Sequence, residues 1–306
     1  MKREVVPARS RSPSRAAAKH GVNYCIPDMP GDFNDLAINS GIDAVLSLLP
    51  KAKVSLKPVP FDPLAEIPPR PWLFGDQLIK GYVSVLVAPP GVGKSTFTIQ
   101  IGIAVAMGMD WADWHCHEQG NVWLFNNEDD RHELYRRVHA SCLNMGVAAT
   151  ELEGKLFINT GDERPLLIAR GSRDQVWLEP DIEECISYIR EHDIKLFIVD
   201  PFAETHTVNE NSNDEIKQVA AAFRRIAKET GCAINLVHHT RKGNGLDVGG
   251  NMDVARGASA LRGVARVAAT LFSMRKEDAK NHGLNEEEAH LYVRHDGAKG
   301  VGTNTS

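Results

Sequence analysis

Residues 88 to 96 read Ala-Pro-Pro-Gly-Val-Gly-Lys-Ser-Thr, and those residue types at that spacing suit the cradling of phosphates. Gly91 and Gly93 let the backbone turn tightly, so that after Pro90 the N–H groups of Gly91, Val92, Gly93, Lys94, Ser95 and Thr96 can point at anionic oxygens. Lys94 would then reach the β- and γ-phosphates of a nucleotide such as ATP, and the Ser95 hydroxyl would ligate Mg²⁺. The position that holds the first Gly of G-x-x-x-x-G-K-[ST] is Ala88. One added methyl is a small change, because the two remaining glycines lie where the backbone must approach phosphate. Further polar residues follow apolar runs downstream: Glu128 and Asp129, then Asp200, then His238.

The elements that must position these groups can be read from the pattern. Tyr82 to Val87 is an apolar run before the Gly-rich turn, and 97 to 107 is apolar almost all round, as a helix buried against a sheet would be. Strands are expected at 121 to 126, 155 to 159, 175 to 178, 195 to 200, 232 to 237 and 291 to 294. Helices are expected at 130 to 145, capped by an Asp, at 181 to 191, and at 214 to 229, stopped by Gly231. Strands alternating with helices predict an α/β fold, a mostly parallel central sheet flanked by helices. Ligand groups then collect at the carboxyl ends of the strands, which is where Lys94, Ser95, Glu128, Asp129, Asp200 and His238 all fall.

The length of 306 residues allows one large α/β domain with appendages. No apolar run is long enough to span a membrane and no signal peptide pattern is present, so a cytoplasmic protein with no membrane partner is expected. The net charge is −5, but residues 1 to 20 carry six basic side chains against Glu4, which leaves about −10 for the rest. A general nucleic-acid-binding surface is thereby excluded, and such contact would need local basic loops. Residues 1 to 20 read as a disordered basic tail, 21 to 49 as a short helical segment, and 50 to 71, with seven prolines, as a semi-rigid linker before a domain covering 72 to 306. The five cysteines are scattered and lack C-x-x-C spacing, so no disulfide is expected. His115-Cys116-His117 reads as a surface loop, since no second ligand pair lies at metal-finger spacing.

Two resemblances sharpen this reading. Pro30-Gly31-Asp32-Phe33-Asn34-Asp35-Leu36 and the helical pattern to Leu49 resemble the closing segment of a Toprim primase domain, without the acidic metal-binding motifs upstream; the same stretch also reads as a plain Asp-capped helix. From Pro71 to about Tyr292 the chain resembles the RecA-like AAA_25 ATPases, the RepA-like hexameric helicases of plasmids among them. The matching stretches are 87 to 95, Asn127-Glu128-Asp129, Phe197-Ile198-Val199-Asp200, 230 to 239 and Ala255-Arg256-Gly257-Ala258-Ser259-Ala260-Leu261. In that family a small residue often replaces the first Gly of the loop, in agreement with Ala88.

The resemblance implies a RecA-like P-loop NTPase fold, ATP and Mg²⁺ as ligands, and a homo-oligomeric, hexameric ring acting on single-stranded DNA. It implies Glu128 as the base that deprotonates the attacking water, Asp200 in the Mg²⁺ shell and His238 as the γ-phosphate sensor. Arg266, with Arg256 as the weaker candidate, is implied as an arginine finger reaching the neighbouring subunit's nucleotide. In RecA-like rings the loop after the sensor faces the channel, so Arg241 and Lys242 are candidates for contacting a single strand, though no aromatic residue sits beside them. The chain ends at Ser306, before the further strands relatives carry, which suggests a shortened relative or a piece of a primase-helicase. The competing expectations are a DNA-binding or regulatory ATPase that does not unwind and a truncated primase-helicase fragment that only binds nucleotide.

Overall fold

The computed structural model describes residues 58–172, 175–239 and 258–299. The basic tail, the Toprim-like stretch and the loop with Arg241, Lys242 and Arg256 lie outside the described residues. Two units are distinguished, Met1–Ile67 and Pro68–Ser306. In the first, residues 58 to 67 form no helix or strand and leave Val59, Phe61, Leu64 and Ile67 exposed.

The second unit is built on a seven-stranded sheet. A small antiparallel pair, β1 (Trp72–Phe74) and β2 (Leu78–Ile79), precedes β3 (Val83–Ala88) and helix α1 (Lys94–Met107). Then come β4 (Asn121–Asn126), α2 (Arg131–Met145), β5 (Leu156–Thr160), β6 (Ala169–Ser172), β7 (Gln175–Leu178), α3 (Asp181–Glu191) and β8 (Ile194–Asp200). The chain continues through α4 (Asn213–Thr230), β9 (Ala233–His239), α5 (Ala258–Val264), β10 (Val267–Ser273), α6 (Lys276–Asn281) and β11 (Val293–Lys299). The order across the sheet is β11-β10-β3-β9-β8-β4-β5, parallel throughout except for β11, which runs antiparallel to β10.

Both faces of this sheet are covered, which explains why its central strands are continuous apolar runs. On one face, Val83, Val85, Trp123, Phe125, Phe197 and Leu236 pack against α3 and α4. On the other, Val122, Leu124, Leu196, Ile198, Ala233 and Val237 pack against α1 and α2. Helix α4 sends Ile216, Val219, Phe223 and Ile226 into the first core, each contributing about 1.5–3 kcal/mol when fully buried. Its ends are fixed by Ser212, which accepts from the Glu215 N–H, and by the left-handed Gly231. Asp130 caps α2 in the same way, accepting from Glu133 N–H at 2.8 Å.

Strand β7 matches the expected span, but it pairs with β6 in a separate two-stranded sheet and not in the central one. Its composition is β-like on both faces, and nothing in the pattern distinguishes a projecting hairpin from a sheet strand. Strand β9 runs two residues beyond expectation, through both histidines. The four described cysteines are buried and unbridged.

One buried histidine lies beside this core. His206 has neither ring nitrogen hydrogen-bonded, its ring lies 4.9 Å from that of Phe202, and burial lowers its pKa to about 4. The unfolded chain takes up this proton near the ordinary histidine value and the folded chain only near about 4. Between those limits the unfolded state binds more protons, so stability falls as the pH falls. We expect the wild type to lose about 2 kcal/mol more than His206→Asn on going from pH 7 to 5, measured by urea unfolding. His239 and His295 shift in the same direction in both proteins, so the difference isolates His206. Equal losses in the two proteins would remove His206 as the source.

Candidate active site

Strand β3 delivers the chain to the phosphate-binding loop. Ala88 is fully buried at the end of the strand, in the small cluster of Leu86, Val92, Ala269 and Leu271. Its backbone is extended, so a side chain costs nothing there, and the methyl fills apolar space. The turn itself lies at Gly91 (φ 77°) and Gly93 (φ 91°). Nothing within 4 Å would meet a Cβ at either, so the demand for glycine there is conformational. Lys94 opens α1 and is 8% exposed.

Neighbouring strand ends supply the rest. Strands β3, β9, β8 and β4 are adjacent, and their registers set Ala88 beside His239 and Asn126 beside Asp200. Asp200 is buried; desolvation raises its pKa, while a hydrogen bond from Ser95 and the charge of Lys94 oppose that rise. Its Oδ1 has no hydrogen-bond partner among the described residues. An orphaned buried carboxylate oxygen next to a serine hydroxyl is a hard oxygen-donor pair, and it fits a divalent cation such as Mg²⁺.

Glu128 and Asp129, adjacent in sequence, are separated by their partners. Asp129 is tied to Arg137, with contacts of 2.7 and 3.1 Å. Glu128 keeps a half-exposed carboxylate, 3.5 Å from His239 Nε2. Partial desolvation raises the Glu128 pKa, Lys94 lowers it, and Asp200 and Asp129 raise it further. A carboxylate with a raised pKa is a better proton acceptor than an ordinary one. His239 is held below the usual histidine value by burial and by Lys94, against Asp200 and Glu204, which disfavours a charged ring beside Glu128.

The sequence-derived positions are not all brought together. Ser95, Lys94, Glu128 and Asp200 converge. His238 is buried on the opposite face of β9, its ring 6.0 Å from that of Phe202, and the histidine that meets Glu128 is His239. Alternation along the strand forces this choice, because His238 shares the α4 side with Leu236 and His239 the α1 side with Val237. Arg266 donates its N–H to Val83 O at 2.8 Å and lies over the Tyr82 ring, at the amino end of β3. That is roughly 17 Å along the strand from the phosphate loop of the same chain. Pro90, Gly91, Gly93 and Thr96 are solvent-exposed along the loop, while Val92 is buried beneath it. Residues that sequence reasoning missed are His239 and Asn126; parity against the buried strand residues was the available signal for His239.

Residues 51–245, more than half of the chain, match the AAA domain family AAA_25. The chain belongs to that family. Membership makes it a P-loop ATPase, and the AAA_25 match includes the phosphate loop, Glu128, Asp200 and His239, with Arg256 and Arg266 beyond its end. No helix among the described residues is long and apolar enough to cross a membrane.

The arrangement yields separable effects. Glu128→Gln should keep ATP binding and lower turnover by about 10²-fold or more, whereas Lys94→Ala should weaken ATP binding itself. Steady-state hydrolysis and nucleotide titration read the two; near-normal turnover in Glu128→Gln would assign the base to another group.

Proposed function

We propose that the protein is an ATP-driven RecA-like motor that assembles into a homo-oligomeric ring, hexameric as in RepA-like helicases, and unwinds DNA by moving on a single strand. The role is that of a replicative helicase of a plasmid, phage or other mobile element, acting in the cytoplasm. The observation that carries this reading is that, among the described residues, no uncommitted arginine acts on Glu128. Arg137, the arginine that acts on Glu128, is already committed to Asp129 and Glu133. A second positive charge for the transferring phosphoryl group then comes from a neighbouring subunit, with Arg266 as the candidate and Arg256 the alternative.

The chemistry follows from the chain's own groups. The loop N–H groups and Lys94 hold the triphosphate at the N-terminus of α1. Glu128 orients a water and accepts its proton as the oxygen attacks the γ-phosphorus. His238-His239 ends β9; the sensor role expected of His238 passes in this reading to His239, which faces Glu128, and the loss of the γ-phosphate is relayed to Arg241 and Lys242. Ser95 and Asp200 would hold Mg²⁺, which offsets the negative charge on the phosphoryl oxygens.

A second reading, a DNA-binding or regulatory ATPase without unwinding, is favoured by the acidic balance of about −10 outside the basic tail. A primase-helicase is the variant of this reading that the Toprim-like stretch favours. Hydrolysis stimulated by single-stranded DNA, with opening of a forked duplex, supports the motor; binding without stimulation or unwinding supports the alternative. If the finger acts in trans, Arg266→Ala should lose about 10³-fold in turnover, and mixing it with Lys94→Ala should restore activity, because mixed rings contain sites with both groups intact. Absence of any restoration, with ring formation confirmed by sedimentation, would remove Arg266 from that role.

A further inference from the structure

We infer that Asn126 is the positioning residue for Glu128: its buried carboxamide fixes the backbone turn that aims the carboxylate, and Gly161 leaves the space which that turn occupies. The inference rests on the reading of Glu128 as the base. Among the described residues, no group donates a hydrogen bond to the Glu128 carboxylate, and His239 Nε2 lies 3.5 Å from it. The aim of this side chain therefore comes from the main chain beneath it.

That main chain is held from several sides. Asn126, the last residue of β4, is 2% exposed. Its Oδ1 accepts the N–H of Glu128 at 2.8 Å and of Asp129 at 2.7 Å, and its Nδ2 donates to Asp129 Oδ2 at 3.0 Å. Arg137 holds the same Asp129 carboxylate, so the donor side of Asn126 has a fixed partner. Asn127 N–H donates to Asp200 O at 3.0 Å, and Asn127 Oδ1 accepts from Leu166 N–H at 3.2 Å. Gly161 N–H donates to Asn126 O at 2.8 Å, and a Cβ at Gly161 would lie 2.6 Å from Asn127 O and 2.8 Å from Asn127 Cα. These are backbone atoms, which cannot rotate away.

Asparagine is the residue this site requires, because it must accept on one side and donate on the other. Aspartate would keep the two accepted N–H bonds but set a second oxygen against the Asp129 carboxylate, in a buried place where like charges repel strongly. Moving a catalytic group by about 1 Å can cost on the order of 10²-fold in rate.

The test uses full-length Asn126→Asp, Gly161→Ala and the exchange Asn126→Asp/Asp129→Asn, with Glu128→Gln as reference. Steady-state ATP hydrolysis is read beside titration with a fluorescent ATP analogue, which also reports that the site is folded. Asn126→Asp and Gly161→Ala should lower kcat by about 10- to 100-fold with analogue affinity within about threefold of wild type. The exchange, which swaps donor and acceptor across one contact, should recover kcat above Asn126→Asp alone. A kcat within twofold of wild type in both single variants, while Glu128→Gln is inactive, overturns the inference and leaves the base assignment standing. So does a parallel loss of kcat and affinity, or an exchange no better than the single variant. Normal turnover in Glu128→Gln would instead overturn the reading beneath it.

Discussion

The parallel register of β3, β9, β8 and β4 is the constraint on which everything else depends. It sets Ala88 beside His239 and Asn126 beside Asp200, and because side chains alternate, these terminal residues share the α1 side of the sheet. A slip of one residue would send Asp200 and His239 into the apolar layer under α3 and α4, and bring His238 and Val199 out in their place. The apolar residues of both faces prevent that slip. Trp123 stacks on Phe197 at 4.2 Å on one side, and Leu124 and Ile198 pack on the other. The core therefore does more than hold the domain together; it selects which polar residues reach the site.

Holding charges at that position works against folding. Lys94 and Asp200 are both nearly buried, and desolvation is the first cause of the raised Asp200 pKa. A carboxylate oxygen with no partner among the described residues, at the end of a central strand, is a penalty that packing elsewhere must offset. Sites built to hold phosphate and a cation have this character: the groups are arranged for a ligand's charge and not for each other.

The loop after β4 solves a different problem. It must expose a carboxylate while keeping it aimed, so it spends its hydrogen-bonding groups inward: Asn126 on the turn, Asp129 on Arg137, Asn127 toward Asp200 and Leu166. Arg131 paired with Glu163 at 2.5 Å fastens the same loop to the segment after β5. Glu128 is thus the free member of a restrained group, and its partial exposure follows from its neighbours being used up.

Much of this was written in the sequence. The runs 83–88, 121–126 and 194–200 are apolar enough to read as strands buried on both faces; the first leads into the Gly-rich loop and the other two end at Asn126 and Asp200, so the α/β class and the convergence of Lys94, Ser95, Glu128 and Asp200 follow from local pattern. Ala88 could be accepted on chemistry, and the structure supplies the reason: the residue is still in extended strand, where glycine has no advantage. Alternation along the run sets His238 and His239 on opposite faces, but which face meets the site is decided only by the register against β3 and by the covering helices. Nor could the sequence place Arg266 at the amino end of β3, separate the β6–β7 hairpin from the central sheet, or reveal Asn126 and Gly161 as partners. The hairpin apart, those relations join residues tens of positions apart, and periodicity carries no information about contacts of that range. The types of group available to the site were fixed along the chain; which of them meet was decided by how the strands align.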